Sequence, residues 1–275
     1  MIFRFNDVEI YYETVGTGKP ILMIHGGGPD HRLMKGGMEP VFETESHYKR
    51  IYFDLPGMGI STTSDWINSS DDMLNVILEF INFVIPEGTF LLAGESYGGY
   101  LSRGVISKLS SRIEGLLLLC PVIKPPNNRV LPDKTVLLKN PDLLSSIAKD
   151  DRDKYESIAV VQDKESWLLY KNNVIPGLNI ANYDLLRRIA SNGYPFSFEV
   201  DSINARFEKP VLVITGRQDA NVGYKDAWGV MDNYPRGSYI VLDRAGHCLE
   251  IEQRMVFKCL TIEWLSRCDE FATQF

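Results

Sequence analysis

Six short, almost wholly apolar runs punctuate the chain, at Ile21 to Ile24, Arg50 to Phe53, Thr89 to Ala93, Ile113 to Cys120, Val211 to Ile214 and Tyr239 to Leu242. Runs of this length without polar alternation predict strands buried on both faces. Several are separated by stretches long enough to be helices. Parallel neighbours need such crossover connections, so the pattern predicts a mostly parallel sheet covered on both sides, an α/β fold. The first residues read differently. Alternation in Ile2 to Phe5 and Val8 to Tyr12, on either side of Asn6-Asp7, predicts an antiparallel hairpin. Ser69-Ser70-Asp71 can cap a helix with Met73, Ile77, Phe80 and Val84 on one face, ended by Pro86-Glu87-Gly88.

From Pro121 to about Arg206 the alternation stops, and a stretch rich in charge, Leu and aromatics opens on Pro125-Pro126-Asn127-Asn128. It reads as a mainly helical insertion without convincing buried strands. The expected organisation is a core domain from residues 1–120 and 207–275, interrupted by a helical cap at 121–206. A chain of 275 residues is near the ceiling for one hydrophobic core, which suits one large domain with an insertion.

Composition narrows the partners. With 44% apolar and 24% charged residues the chain is of the globular class. Its 29 Lys+Arg against 36 Asp+Glu leave a formal charge of −7, which disfavours nucleic acid and anionic membranes. The N-terminus has no continuous apolar leader and no run is long enough to span a bilayer. Cys120, Cys248, Cys259 and Cys268 have neither metal-binding spacing nor disulfide-scaffold density. A reducing cytoplasm is the expected setting.

The sharpest chemical signal is Gly94-Glu95-Ser96-Tyr97-Gly98, between the apolar run Thr89 to Ala93 and the helix-compatible segment Gly99 to Leu109. A serine at a tight strand-to-helix turn needs small neighbours, and its Oγ then stands above the sheet. The helix start adds the Tyr97 N–H and a dipole favouring developing negative charge. A serine hydroxyl needs a histidine base and an orienting acid to become a nucleophile.

Of the four histidines, His247 lies just after the last strand, where an α/β sheet places its site. His25 is expected to shape the adjoining glycine loop, and His31 and His47 have no such context. Asp219 follows the run Val211 to Ile214 and is the expected acid, with Asp243 as competitor. The order Ser96, Asp219, His247 is that of the α/β-hydrolase triad. His25-Gly26-Gly27-Gly28-Pro29 is the candidate loop for a second oxyanion donor, because glycines let backbone N–H groups approach a ligand closely. A dinucleotide-type phosphate loop does not fit, because no G-x-G-x-x-G with a following ribose-binding acid can be drawn.

Together with Asp54-Leu55-Pro56-Gly57-Met58-Gly59-Ile60-Ser61, Gly216-Arg217-Gln218-Asp219 and Gly246-His247, these motifs resemble the α/β-hydrolase superfamily, specifically its capped small-molecule serine hydrolases. The resemblance implies an eight-stranded, mostly parallel sheet with a helical cap over the pocket. It matches Ser96 to the nucleophile, His247 to the base, Asp219 to the acid, and Gly27 and Tyr97 to the oxyanion hole. The stretch Asp54 to Ser61 matches a structural loop.

The expected activity is cleavage of an ester or related acyl bond of a small molecule, with no cofactor or metal. Serine at the elbow argues against dehalogenases and epoxide hydrolases of this fold. A proline-type aminopeptidase and a carbon–carbon hydrolase are alternatives. The loop reads His25-Gly26-Gly27-Gly28-Pro29-Asp30 where the peptidases usually have H-G-G-P-G, and the earlier serine of the carbon–carbon hydrolases is absent. A non-catalytic small-ligand receptor is the alternative of another class. Trp167, Tyr170 and Tyr194 are expected either to line the pocket or to form the cap's own core, and oligomeric state is left open.

Overall fold

The computed structural model describes residues 1–45, 47–201 and 206–274; residues 202–205, inside the expected insertion, lie outside the described set. The chain opens with the hairpin of β1 (Ile2–Phe5) and β2 (Val8–Val15), turned at Asn6 with φ 52°. There follow β3 (Lys19–Ile24), α1 (His31–Met38), β4 (Tyr48–Phe53), α2 (Ser70–Val84), β5 (Phe90–Glu95), α3 (Tyr97–Leu109) and β6 (Ile113–Leu119). Beyond β6 the chain forms β7 (Leu138–Lys139), α4 (Pro141–Ser146), α5 (Lys149–Ile158), β8 (Val161–Gln162), α6 (Lys164–Asn173), α7 (Ile175–Leu178) and α8 (Tyr183–Arg188). It then returns to the sheet through β9 (Val211–Gly216), α9 (Lys225–Trp228), β10 (Gly237–Leu242), α10 (Leu249–Glu252) and α11 (Arg254–Gln274).

Eight strands form one sheet in the order β1-β2-β4-β3-β5-β6-β9-β10. β2 runs antiparallel to β1 and β4, and the remaining neighbours are parallel. This is the expected α/β architecture. From β3 the chain steps to β4 on one side and then crosses to β5 on the other, which makes the β3–β5 boundary a topological switch point. Loops at the C-terminal ends of two such strands diverge and leave a crevice between them. The polypeptide has therefore prepared a site after Ile24 and Glu95, two strands paired through Ile24 and Gly94.

The strand interiors are completely buried, among them Ile21, Leu22, Leu91, Leu92, Leu117 and Val213. Helix α3 packs on β5 and α11 on β6, where Trp264 is fully enclosed. Ser69 caps α2 through a reciprocal bond with Asp72.

Three elements differ from the sequence reading. β10 was expected to be buried on both faces but is half-buried along its length, because it pairs with β9 alone and closes one edge of the sheet. The segment after β6 does contain a buried strand, β8, which pairs in parallel with β7. Two residues are too few for periodicity to register. Helix α1 was not foreseen, since Gly36-Gly37 lower its apparent helix propensity.

Residues in the helices of this segment form a second apolar cluster, with Leu144, Tyr155, Tyr170 and Val174 at its centre. The cluster also takes in Leu33 from α1, and Cys248 and Ile251 beside the last loop. Tyr170 and Trp167 belong to it, whereas Tyr194 packs against the main core and Tyr97.

Candidate active site

Ser96 sits between β5 and α3 with φ 53° and ψ −117°, a region L-residues seldom occupy and one that stores strain at functional turns. The flanking glycines are required by close approach. A Cβ on Gly94 would lie 2.5 Å from the Gly98 carbonyl oxygen, and one on Gly98 would lie 2.1 Å from the Ile24 oxygen. The turn leaves Ser96 partly exposed above a fully buried strand.

The loop after β10 carries His247 and the loop after β9 carries Asp219. His247 Nε2 is 2.9 Å from Ser96 Oγ, and its Nδ1 is 2.8 Å from Asp219 Oδ2. The other Asp219 oxygen accepts the backbone N–H groups of Asn221 and Val222, at 2.8 and 3.0 Å. Burial pushes the Asp219 carboxyl up, but His247 and these two N–H donors outweigh it and hold the group below its ordinary value. Burial likewise works against a charged His247, yet Asp219 more than offsets it, so the imidazole titrates above its ordinary value. Asp243 does not reach His247. It is exposed and accepts a bond from Gln218 instead.

Gly26 and Gly27 run beside the elbow, where Cβ atoms would lie 3.1 Å from Ser96 Cβ and 3.7 Å from Tyr97 Cβ respectively. The His25 ring holds this loop from beneath. Its Nε2 accepts the Leu55 N–H at 2.9 Å, which leaves Nδ1 as the donor to the Gly26 carbonyl at 2.7 Å. His31 lies instead against Asp54, and His47 against Asp269. The stretch from Asp54 to Ser61 is tied internally: Asp54 also accepts the Ile60 N–H, and Ser61 Oγ donates to the Asp54 carbonyl.

Two groups have metal-compatible spacing, Cys120 with Asp219 and His247, and Asp30 with His31 and Asp54. Their ligand atoms are already engaged. Asp219 and His247 bond each other, Asp30 clamps Arg32, and Asp54 holds His31.

A cavity of about 420 Å³ opens over the elbow and is lined by Ser96, His247, Gly27 and Tyr97 from the sheet side. Lys154, Tyr170, Val174 and Leu178 line it from the segment after β6, as does Tyr194, while Trp167 does not. Its size suits a small molecule. Cys248 also lines it, but burial raises the thiol well above its ordinary value, so it is a protonated thiol at neutral pH rather than a rival nucleophile.

Sequence reasoning missed three acids: Glu95, which lines this cavity, and Glu250 and Glu252 in the short helix after His247. Glu95, the variable residue of the elbow motif, is 2% exposed, and its Oε2 has no partner among the described residues. Glu250, packed against Gly37, has no partner for either oxygen among the described residues. Burial, with Glu250 and Asp219 nearby, raises Glu95 well above its ordinary value, and burial pushes Glu250 up to about 8, so Glu250 is largely protonated at pH 7.

Glu252 has partners from two regions. It accepts the Val160 and Val161 N–H groups with one oxygen and the Gly246 N–H with the other, at 2.6, 3.1 and 2.5 Å. No local pattern signals such residues, because burial and partners come from distant segments. Arg129 and Asn221, which also line the cavity, were missed for the same reason.

Residues 21–257 match the model of the alpha/beta hydrolase family. A solved structure, an alpha/beta superfamily hydrolase from Oenococcus oeni PSU-1, is 29% identical, covers 98% of this chain and 99% of that one, and superposes with a TM-score of 0.88. A thermophilic esterase from Thermogutta terrifontis shares the fold at 20% identity and a TM-score of 0.67, with 95% and 94% coverage. Among curated relatives, 2-hydroxy-6-oxo-6-(2'-aminophenyl)hexa-2,4-dienoic acid hydrolase of Metapseudomonas resinovorans is 28% identical over 112 residues, 41% of this chain and 39% of that protein. The match to 2-hydroxy-6-oxo-2,4-heptadienoate hydrolase of Pseudomonas putida is 22% identical and spans 95% of this chain and 94% of that protein. The chain belongs to the alpha/beta hydrolase family and is an enzyme of that fold.

Proposed function

We propose that this enzyme is a serine hydrolase that cleaves a carboxylic ester or related acyl bond of a small molecule through an acyl-enzyme. The observation that carries the reading is the unbroken relay from Asp219 through His247 to Ser96, with both links at 2.8–2.9 Å. His247 takes the Ser96 proton as Oγ attacks the carbonyl carbon, and Asp219 fixes the tautomer and supports the imidazolium. The N–H groups of Gly27 and Tyr97 receive the oxyanion. The Gly27 loop lies against Tyr97, and α3 begins at Tyr97, so its first amide has no intrahelical partner. His247 then protonates the leaving group, and water, deprotonated by the same ring, releases the acid and restores Ser96.

Residues 121–206 serve as the cap, because Lys154, Tyr170 and Leu178 roof the same cavity that Ser96 floors. The cap excludes water from the intermediate and shapes the substrate site. Carbon–carbon cleavage is a second reading, favoured by the nearly full-length match to the Pseudomonas putida dienoate hydrolase.

A fluorophosphonate probe, mapped by peptide mass spectrometry with Ser96→Ala as control, tests the nucleophile, and an ester panel beside a vinylogous diketone separates the two bond types. Adduct at Ser96 with ester turnover supports the acyl-enzyme. A folded protein that neither labels nor turns over either substrate class sinks it and leaves a ligand-binding role.

A further inference from the structure

The cavity over Ser96 contains a cation that the proposed chemistry does not use. Arg129 follows β6 and lines the cavity together with Ser96 and His247. Its guanidinium is fixed by three neutral acceptors: Nε donates to the Lys124 carbonyl at 3.1 Å, Nη1 to the Asn221 carbonyl at 3.0 Å and Nη2 to the Tyr194 hydroxyl at 3.2 Å. It also stands 5.9 Å from the Tyr194 ring centroid. Among the described residues no carboxylate lies within ion-pair distance of it, although the chain carries seven more acids than bases. A guanidinium has five N–H groups, so three bonds leave two unused.

The acids nearby cannot supply the missing charge. Asp219 is committed to His247 and two backbone amides. Glu95, an acid that lines the cavity, has an oxygen without a partner among the described residues and makes no ion pair with Arg129; burial, Glu250 and Asp219 raise its carboxyl well above its ordinary value, which disfavours its charged form. Lys154 adds a second cation to the same cavity, held by Asn179 and 4.0 Å from Asp151. The cavity thus carries two cations in an acidic protein, one of them a half-buried fork held by three hydrogen bonds, whose natural complement is a carboxylate.

We propose that the substrate carries a carboxylate besides its reacting carbonyl, and that Arg129 seats that carboxylate while the carbonyl lies at Ser96. The assignment of the carbonyl end rests on the hydrolase reading above; the anion site itself does not. Arg129 acts as a specificity residue, orienting the acyl substrate and rejecting amines, which would meet an unpaired positive charge.

The test separates binding from chemistry. Ser96→Ala protein is titrated calorimetrically with the monomethyl esters of succinic, glutaric and adipic acids, with methyl esters of the matching monoacids, and with methyl 6-aminohexanoate. At least one half-ester should bind about tenfold more tightly than its neutral partner, the scale of a hydrogen bond to a charged group. Adding Arg129→Met should erase that preference, and Arg129→Lys should keep part of it. The neutral ester and the melting curve of each variant report whether the pocket still forms. Equal binding of charged and neutral esters, a preference unchanged in Arg129→Met, or a preference for the amino ester would each overturn the proposal. Fluorophosphonate labelling of the native protein addresses the other reading separately. Labelled Ser96 without carboxylate preference removes the anion site alone, and carboxylate preference without labelling removes the hydrolase chemistry alone.

Discussion

The sheet and the segment between β6 and β9 are held by different means. Each central strand is buried along its interior, and its residues pack against helices that follow it in sequence. The inserted segment has short helices and a small apolar cluster that borrows Leu33, Cys248 and Ile251 from outside itself. A carboxylate, Glu252, joins it to the His247 loop. The relay is thus built on loops at strand ends, while the roof of the cavity shares its apolar cluster with residues of the sheet side. On the proposed reading, this division places the chemistry on the sheet side and substrate selection on the side whose loops can vary without disturbing the relay.

The largest expected effect comes from the sheet side. Ser96→Ala should lower ester kcat by about a millionfold, the scale seen when a triad nucleophile is removed, with an unchanged melting curve. A smaller loss in clean protein would mean that another group attacks. Asp219→Asn should cost about ten-thousandfold in kcat, because the wrong His247 tautomer faces Ser96. Asp243→Asn should cost nothing measurable. A reversal of these two would move the acid to the other loop.

The pH profile sharpens the same point. His247 must be neutral to accept the Ser96 proton, and Asp219 raises its titration above the ordinary histidine value. Activity should therefore fall as pH drops through that raised pKa, and residual activity in Asp219→Asn should persist to lower pH. An acidic limb that does not move in this variant would break the link.

Glu252→Gln probes the joint between the two regions. The amide nitrogen cannot accept from Gly246 or from Val160 and Val161, so one side of the bridge opens. We expect a loss of about tenfold to a hundredfold in kcat/KM, the cost of slight misplacement, with slower labelling of Ser96 and an intact sheet by circular dichroism. Unchanged kinetics would show that the cap is held without this bridge.

Glu250→Gln should have the smallest effect, and it concerns stability. The folded-state pKa of about 8 lies above the unfolded value near 4.5, so the native state binds the extra proton between them. Wild-type stability should consequently decline as pH rises from about 4.5 to 8, and the Gln variant should flatten that decline by a few kcal/mol at most. Identical pH–melting curves for the two proteins would show that Glu250 ionises in the folded state at its ordinary value.

Much of the sheet was legible because its information is local. Apolar runs such as Leu116 to Leu119 have few alternatives to a buried strand, and Gly94 and Gly98 mark a turn no larger residue could make. The positions of Asp219 and His247 could be read from their place after strands, since α/β topology gathers those ends. Helix α1 was illegible because its glycines answer to packing, with a Cβ on Gly37 meeting Glu250 Cγ at 2.8 Å.

What the sequence determined by itself was the α/β class, the elbow and the order of the three relay residues, because each depends on backbone sterics or on short-range apolar patterning. Only the tertiary structure decided that one oxygen of Glu95 and both of Glu250 lack partners among the described residues, that Glu252 joins two distant backbones, and that Arg129 lines the cavity with no carboxylate at ion-pair distance among those residues. Those properties depend on desolvation and on partners dozens of residues away, from Val160 to Gly246 and from Arg129 to Asn221. Charge and hydrogen-bonding capacity are written in the residue type, but whether they are satisfied is settled only when the chain has closed around them.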